Sequence, residues 1–438
     1  MRATKDSGVD WLGEIPEAWL VKPLKRNTYI KARVGWKGLT SDEFEVESFA
    51  YLVTGRDFSS KVIDFSECYQ VSEGRYLDDP FIQLKQGDIL ITKDGTIGKT
   101  AWVNELDKPA CLNSGIFVVR PKADYVPEFL FWVLESAVFK EFIRLVSSGS
   151  TIQHLYQNVF ENFSFGIPPV DEQRRIADFL DRETTKIDAL ITKQEQLITT
   201  LDERRRAVIS RAVTEGINSD IDLRSAETAW FKMIPSHWEA GPLKRFANVT
   251  LGKMVTSDTP DGDAVVMPYL RAASVQPKGR IILDDAKQMS FSLRERSRFA
   301  LKKNDVVVVE GGSIGRSALV EEDLENWGYQ NSINRVRAMR NVTGRYLNWC
   351  LQALESSGVY SMMTNVATIA HLTAEKLETV PIAVPPLSEQ EEICAYLEKV
   401  TQDIDLLIEK CSAASRVLRE RRQALISAAV TGKLEVGV

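Results

Sequence analysis

Ile167-Pro168-Pro169-Val170-Asp171-Glu172-Gln173 opens a stretch that closes on Glu203-Arg204-Arg205-Arg206-Ala207-Val208-Ile209-Ser210. Moved on by 217 positions, the chain reads Val384-Pro385-Pro386-Leu387-Ser388-Glu389-Gln390 and closes on Glu420-Arg421-Arg422-Gln423-Ala424-Leu425-Ile426-Ser427. Two prolines cannot sit inside a helix, but they can fix the chain directly ahead of one. Asp171 and Ser388 are good N-cap residues at matching positions, and acidic side chains fill the first turn after them. Alternating steps of four and three give Ile176, Leu180, Glu183, Ile187, Leu190, Gln194, Leu197, Leu201, Arg204 and Val208, of which seven are apolar. The second copy gives Ile393, Leu397, Val400, Ile404, Leu407, Cys411, Ala414, Leu418, Arg421 and Leu425, of which nine are apolar. A heptad seam sustained this long among polar flanks predicts two coiled-coil helices of roughly 60 Å each, rather than ordinary amphipathic core helices.

The repeat runs beyond the helices. Trp11-Leu12-Gly13-Glu14-Ile15-Pro16-Glu17-Ala18-Trp19 returns as Trp230-Phe231-Lys232-Met233-Ile234-Pro235-Ser236-His237-Trp238, and Pro23-Leu24-Lys25-Arg26 as Pro242-Leu243-Lys244-Arg245. A block of about 60 residues with almost no match follows in each half, a division between shared and private sequence that governs the reading of the whole chain. Similarity resumes at Asp88-Ile89-Leu90-Ile91-Thr92-Lys93-Asp94-Gly95-Thr96-Ile97-Gly98-Lys99 against Asp305-Val306-Val307-Val308-Val309-Glu310-Gly311-Gly312-Ser313-Ile314-Gly315-Arg316. Asn113-Ser114 answers Asn331-Ser332, and Thr151-Ile152-Gln153-His154-Leu155 answers Thr368-Ile369-Ala370-His371-Leu372. Short β-branched runs ending in glycine turns predict strands, and helix-period segments follow at 125–146 and 345–363. The fold class expected is α+β: two α/β domains in tandem, residues 1–166 and 216–383, each followed by a long helix, 167–215 and 384–438. The polar stretch Glu215–Ala229 reads as a linker.

With 438 residues, 44% of them apolar and 26% charged, the chain has the composition of a soluble globular protein of more than one domain. No apolar run reaches the roughly 18 residues of a membrane helix, and the first residues carry no secretory pattern. Five cysteines in odd number, with no CxxC pair, fit a reduced cytoplasmic setting and argue against zinc. The net charge of −6 argues against a protein that coats DNA by itself, although binding requires only a local basic face.

The two-fold repeat, the Pro-Pro-x-x-Glu-Gln helix start, the Glu-Arg-Arg-x-Ala-x-Ile-Ser close and the Asp-Gly-Thr-Ile-Gly loop together resemble the specificity subunits of type I restriction-modification enzymes. The resemblance spans nearly the whole chain. It implies two target-recognition domains on an antiparallel helix pair, each reading one half of a split, asymmetric site in double-stranded DNA, with the helices setting the gap. It further implies methyltransferase subunits docked on this frame, two per chain, and restriction subunits joining them. S-adenosylmethionine, ATP and Mg would then belong to those partners, with no cofactor or catalytic residue in this chain. The second loop departs mildly, since Glu310-Gly311-Gly312-Ser313 places its acid and base differently.

Several motifs invite sharper readings. Glycines, hydroxyls and lysines in the first loop suit a phosphate contact, so Lys93, Gly95, Thr96 and Lys99, with Ser313 and Arg316 in the second copy, are expected to face DNA; an ordinary β-turn is the plain alternative. Gly98-Lys99-Thr100 ends like a phosphate-binding P-loop, but position 93 is Lys where the first glycine belongs. Asp78-Asp79-Pro80-Phe81 lacks the second proline of an amino-methyltransferase signature. His154 and His371 lack the neighbours zinc requires, so no metal site is expected. Base reading is expected in the variable blocks, from Arg33, Lys37, Arg56 and Lys61, and from Arg271, Lys278 and Arg280, with Arg335 and Arg337 beside the second Asn-Ser. The Arg204–Arg206 and Arg421–Arg422 clusters are expected to favour helix-end dipoles, with a subunit contact as the next reading. Two other readings compete: a coiled-coil scaffold presenting two protein-binding domains, and a free-standing two-headed DNA binder or enzyme. The paired Gly-Lys and Gly-Arg loops favour DNA, and the missing catalytic constellation disfavours an enzyme.

Overall fold

Both long helices form, over Val170–Thr214 and Leu387–Val430. At about 1.5 Å per residue, 45 and 44 residues give each a length of roughly 65 Å. They start one residue earlier than the expected caps: the Pro169 carbonyl accepts the amides of Glu172 (2.9 Å) and Gln173 (3.0 Å), so Asp171 and Ser388 lie inside the first turn. The computed structural model describes residues 2–33, 39–122, 124–147, 154–228, 230–255, 264–364 and 371–437. Lys37, Thr151-Ile152-Gln153 and Thr368-Ile369-Ala370 lie outside the described residues.

The chain divides into two compact units, Met1–Gln194 with Ala413–Val438, and Glu195–Ser412. Each unit therefore takes the start of one long helix and the end of the other. In the first, Ile176, Ala177 and Leu180 share a core with Ile426, Ala429 and Val430. In the second, Ile209, Ala212 and Val213 share one with Ile393, Cys394 and Leu397. Start packs on end, so the helices run antiparallel within each unit.

Burial corrects the seam. Ile176, Leu180, Ile187, Leu201, Ile393, Leu397 and Ile404 are buried and Leu418 half-buried, but Leu190, Leu197 and Leu407 are 45–47% exposed. The line of buried and half-buried residues instead steps through Leu180, Thr184, Ile187, Ile191, Gln194, Ile198, Leu201 and Arg205, and at the matching positions through Leu397, Thr401, Ile404, Ile408, Cys411, Ser415, Leu418 and Arg422. Alternate steps of the leucine count were one residue early. A search for apolar residues passes over Thr184 and Thr401, yet both are buried because each hydroxyl is satisfied by the carbonyl four residues back, at 2.6 and 2.7 Å. Arg205 and Arg422 close this line, 3.4 Å from Asp405 and 2.9 Å from Asp188 respectively. Both arginines lie more than a turn from the helix ends, so the dipole reading of these clusters fails.

The helix-start motif bolts each helix to its unit. Glu172 accepts the indole N–H of Trp19 at 3.2 Å, and Glu389 that of Trp238 at 3.1 Å. Gln173 is buried; its Oε1 accepts the Val126 amide (2.9 Å) and its Nε2 donates to the Asp124 and Pro168 carbonyls. Gln390 does the same with the Thr343 amide and the Asn341 and Pro385 carbonyls. Both tryptophans are buried, and each also meets the end of the other long helix, at Gly432 in the first unit and Gly216 in the second.

Each unit carries a four-stranded antiparallel sheet. The first is ordered Thr28–Ala32, Ile116–Pro121, Ile89–Thr92, Thr100–Trp102, and the second Ala247–Leu251, Ile333–Ala338, Asp305–Val309, Ser317–Leu319. A smaller three-stranded sheet accompanies each and contains one parallel pair, Ala50–Val53 with Ala110–Leu112 and Val265–Leu270 with Gly328–Tyr329. Part of the expected linker is ordered: Leu223–Ser225 pairs with Met233–Pro235, as Thr4–Asp6 pairs with Glu14–Pro16. Among the described residues, no helix is long and apolar enough to cross a membrane.

Candidate nucleic-acid interface

The glycine loops connect antiparallel strands in both units. Gly98 donates to the Thr92 carbonyl and Gly315 to the Val309 carbonyl, both at 2.9 Å. Both glycines have positive φ (+84° and +79°), and a Cβ would lie 2.5 Å from Ile143 Cδ1 in the first unit and 2.1 Å from Tyr360 Cδ2 in the second. Glycine is therefore required here by the turn and by packing against a helix. The loop crowns remain on the surface: Gly95, Thr96, Lys99 and Ser313 are exposed, and Lys93 and Arg316 half-buried. Lys93 Nζ lies 3.8 Å from Asp94. Beside the first loop, His154 Nδ1 contacts the Asp94 carboxylate and its ring meets Tyr156 edge-on. In the second unit His371 bridges to Gly311, and burial holds the Glu310 carboxyl above its usual range against the opposing pull of His371. Each loop is thus pinned by a histidine that stands beside an acid.

Three of the expected base readers are structural. Arg33 is only 2% exposed and donates Nε to the Leu112 carbonyl at 2.9 Å, with Cys111 Sγ at 3.6 Å. Arg335 is also buried and donates to the Arg298 and Ala300 carbonyls and to Thr250 Oγ1; burial pulls its pKa down. Arg337 forms a forked pair with buried Asp305, 2.7 Å at both contacts, which raises its pKa. Arg120 repeats that fork on Asp88 at 2.6 and 2.7 Å. A sequence shows an arginine near a loop, but not whether a carbonyl or carboxylate behind it already takes the guanidinium. The matching offset of Asp88–Arg120 and Asp305–Arg337 was the available signal for the fork.

The remaining candidates divide by what they touch. Lys61 pairs with Asp181 and Lys278 with Asp405, each at 2.6 Å, so both hold a long helix. Arg56 stacks 3.7 Å above Tyr69 and donates to the Glu67 carbonyl, with half its side chain exposed. Arg271 pairs with Asp285. Arg280 and Lys99 are exposed. Among the described residues no cluster of His, Cys, Asp and Glu could hold a metal ion.

Two segments, residues 43–200 and 235–412, match the type I restriction-modification DNA specificity domain. The chain belongs to the type I specificity family. Its two family segments fall on the two halves of the repeat and take in much of both long helices. The specificity chain is 22% identical to the EcoKI specificity subunit of Escherichia coli (strain K12), over 96% of this chain and 90% of that one. It is 23% identical to the EcoBI specificity subunit of Escherichia coli, over 79% and 73%. Against the putative MjaX specificity subunit of Methanocaldococcus jannaschii the identity is 22%, over 97% and 96%. Its fold is similar to a chain solved in work on complex assembly and conformational transition of a type I restriction-modification system (TM-score 0.72, 16% identity, 96% and 99% covered). It is also similar to the HsdS subunit from Thermoanaerobacter tengcongensis (TM-score 0.51, 16% identity, 96% and 98% covered). The chain is therefore a type I specificity subunit with two target-recognition domains.

Proposed function

We propose that this subunit reads a bipartite, asymmetric site in double-stranded DNA, one half with each unit, and that the antiparallel helices act as the ruler fixing the spacer. One observation carries the reading: two matched specificity domains keep the same helix-anchoring residues but differ throughout the blocks outside the frame. Halves that read different bases must differ there, and a ruler requires the frame to be alike. Direct base contacts come from the exposed candidates, Arg280 and Arg56, and phosphate contacts from the loop crowns at Gly95, Thr96, Lys99 and Ser313. The chain itself is non-catalytic and works in the cytoplasm. Methyltransferase subunits, two per chain, and restriction subunits dock on the frame and carry S-adenosylmethionine, ATP and Mg. The exposed Leu190, Leu197, Leu406 and Leu407 support such docking, because long-helix leucines facing solvent in the isolated chain are suited to burial by a partner.

The ruler is tested by inserting one heptad at matching places in both helices. Seven residues add roughly 10 Å, so methylation-site mapping should show the same half-sites with a spacer about three base pairs longer, at about 3.4 Å per pair. An unchanged spacer rejects the ruler. Co-purification from the host, with two methyltransferase copies per chain, tests the partners.

A further inference from the structure

In the second unit, the end of the first long helix, the turn Pro277–Gly279 and the helix Gly344–Ser357 enclose a cleft of about 420 Å³. Four cations line it: Arg205 and Arg206 from the long helix, Lys278 from the turn and Arg316 from the end of the glycine loop. They face fewer acids. Asp405 serves both Lys278, at 2.6 Å, and Arg205, at 3.4 Å. Glu355 lies within the field of both Arg206 and Arg316, and Asp202 completes the lining. Four positive charges thus meet three negative ones in a concave site. Arg205 Nε is buried, and its 3.4 Å approach to Asp405 is an ion pair without hydrogen-bond geometry. Lys278 is held at φ +66°, a left-handed conformation that a non-glycine residue adopts only when its surroundings impose it. The next residue, Gly279, lies so close to the helix that a Cβ would stand 3.0 Å from Gln352 Nε2.

The matching place in the first unit is arranged differently. There Arg422 and Lys61 lie over the ring of Trp132, at 5.8 and 4.3 Å. Gln423 stands where the second unit has Arg206, bonded to Lys140 and to the Glu135 carbonyl, and Val138 stands where it has Glu355. Arg205, Lys278 and Arg316 have cationic counterparts in Arg422, Lys61 and Lys99, so what is particular to the second unit is Arg206 and Glu355, where the first has Gln423 and Val138.

We propose that this cleft binds the phosphate group of a small molecule. A guanidinium fork matches phosphate oxygens in geometry and charge, and the volume falls in the range of small-molecule sites. Duplex backbone favours cations that project from a surface, whereas Arg205 forms part of the floor of a cleft. The site does not depend on the DNA-reading proposal.

The test titrates the full chain with inorganic phosphate and with pyrophosphate, at ionic strength held constant with chloride, by calorimetry. Saturable pyrophosphate binding is expected, weakened about tenfold or more in Arg206→Gln and in Arg316→Gln. It should be unchanged in Arg174→Gln, an exposed arginine on the first unit's part of the same helix. Arg206 is exposed, so its replacement should leave the fold intact, checked by circular dichroism. Absence of saturable binding, or equal loss in all three variants, overturns the proposal. If pyrophosphate does not bind but Arg206→Gln lowers the salt slope of duplex binding by about one, the occupant is a backbone phosphate and the small-molecule site is rejected.

Discussion

The two units perform the same structural tasks with the same residues in the frame and with different residues outside it. Trp19–Glu172 and Trp238–Glu389, Gln173 and Gln390, Asp88–Arg120 and Asp305–Arg337 superpose as chemistry, contact for contact. The buried arginines do not. Arg33 leaves the end of the edge strand to reach the Leu112 carbonyl, whereas Arg335 stands mid-strand in the second unit and reaches Arg298 and Ala300. Arg33 thus reaches a carbonyl on the strand Ala110–Leu112, after the glycine loop, whereas Arg335 reaches carbonyls of the second variable block. The two units share the contacts of the frame and differ in how the segments outside it are held.

The largest effect should come from breaking the shared fork. Asp305 is 1% exposed, so Arg337→Leu would leave a buried carboxylate with the Lys302 amide but without its countercharge and cost about 3 kcal/mol. Arg120→Leu should do the same to Asp88 in the first unit. Denaturant unfolding followed by tryptophan fluorescence should show each variant destabilising its own unit's transition. Equal losses below about 1 kcal/mol would mean that the fork is screened like a surface pair.

The seam comes next. Ile187→Ala, at a buried position, should cost about 2–4 kcal/mol, whereas Leu190→Ala, 47% exposed, should cost less than about 1 kcal/mol in the isolated chain. The reverse order would restore the leucine-led seam. A Leu190 variant with unchanged stability that fails to retain a methyltransferase subunit would locate docking on that face. A smaller loss follows from Gln390→Leu, which strands the Thr343 amide and two carbonyls at the helix start, at about 2 kcal/mol. Gln173→Leu should match it, and unequal losses would show that the two anchors are not equivalent.

The frame was legible because repetition exposes it: two copies of Pro-Pro-x-x-Glu-Gln and of Trp-x-x-x-Ile-Pro-x-x-Trp can be aligned by eye, and their residues form the anchors. The phase of the seam was not, because Thr184 and Thr401 become seam residues only through bonds to their own helix. Nor were the roles of the arginines legible. Arg33, Arg335 and Arg337 are distinguished from Arg280 by acceptors that lie up to 79 residues away in sequence. Local sequence shows a cation; only the packed chain shows whether its hydrogen bonds are already made.

The smallest expected effect concerns the five cysteines, all free and buried. Burial pushes the Cys68 and Cys394 thiols up to about 12 and that of Cys111 to about 11, Arg33 partly opposing the shift at Cys111. The neutral thiol is therefore the favoured folded form. As pH rises from the ordinary value near 9 toward these values, the unfolded chain ionises first and stability should decline through that window. At pH 8 a thiol-specific reagent should label the native chain slowly, because both thiolate and access are scarce. Cys411 should react first: it is the most exposed of the five, at 9%, and stands in the helix seam instead of a domain core. Local opening of one helix from the other exposes it, whereas Cys350, at 1%, waits for its unit to unfold. Mass spectrometry of partly labelled protein separates the two. Cys411 labelled ahead of the rest would measure how freely the helix pair opens; labelling no faster than Cys350 would mean that the seam holds as tightly as the cores it connects.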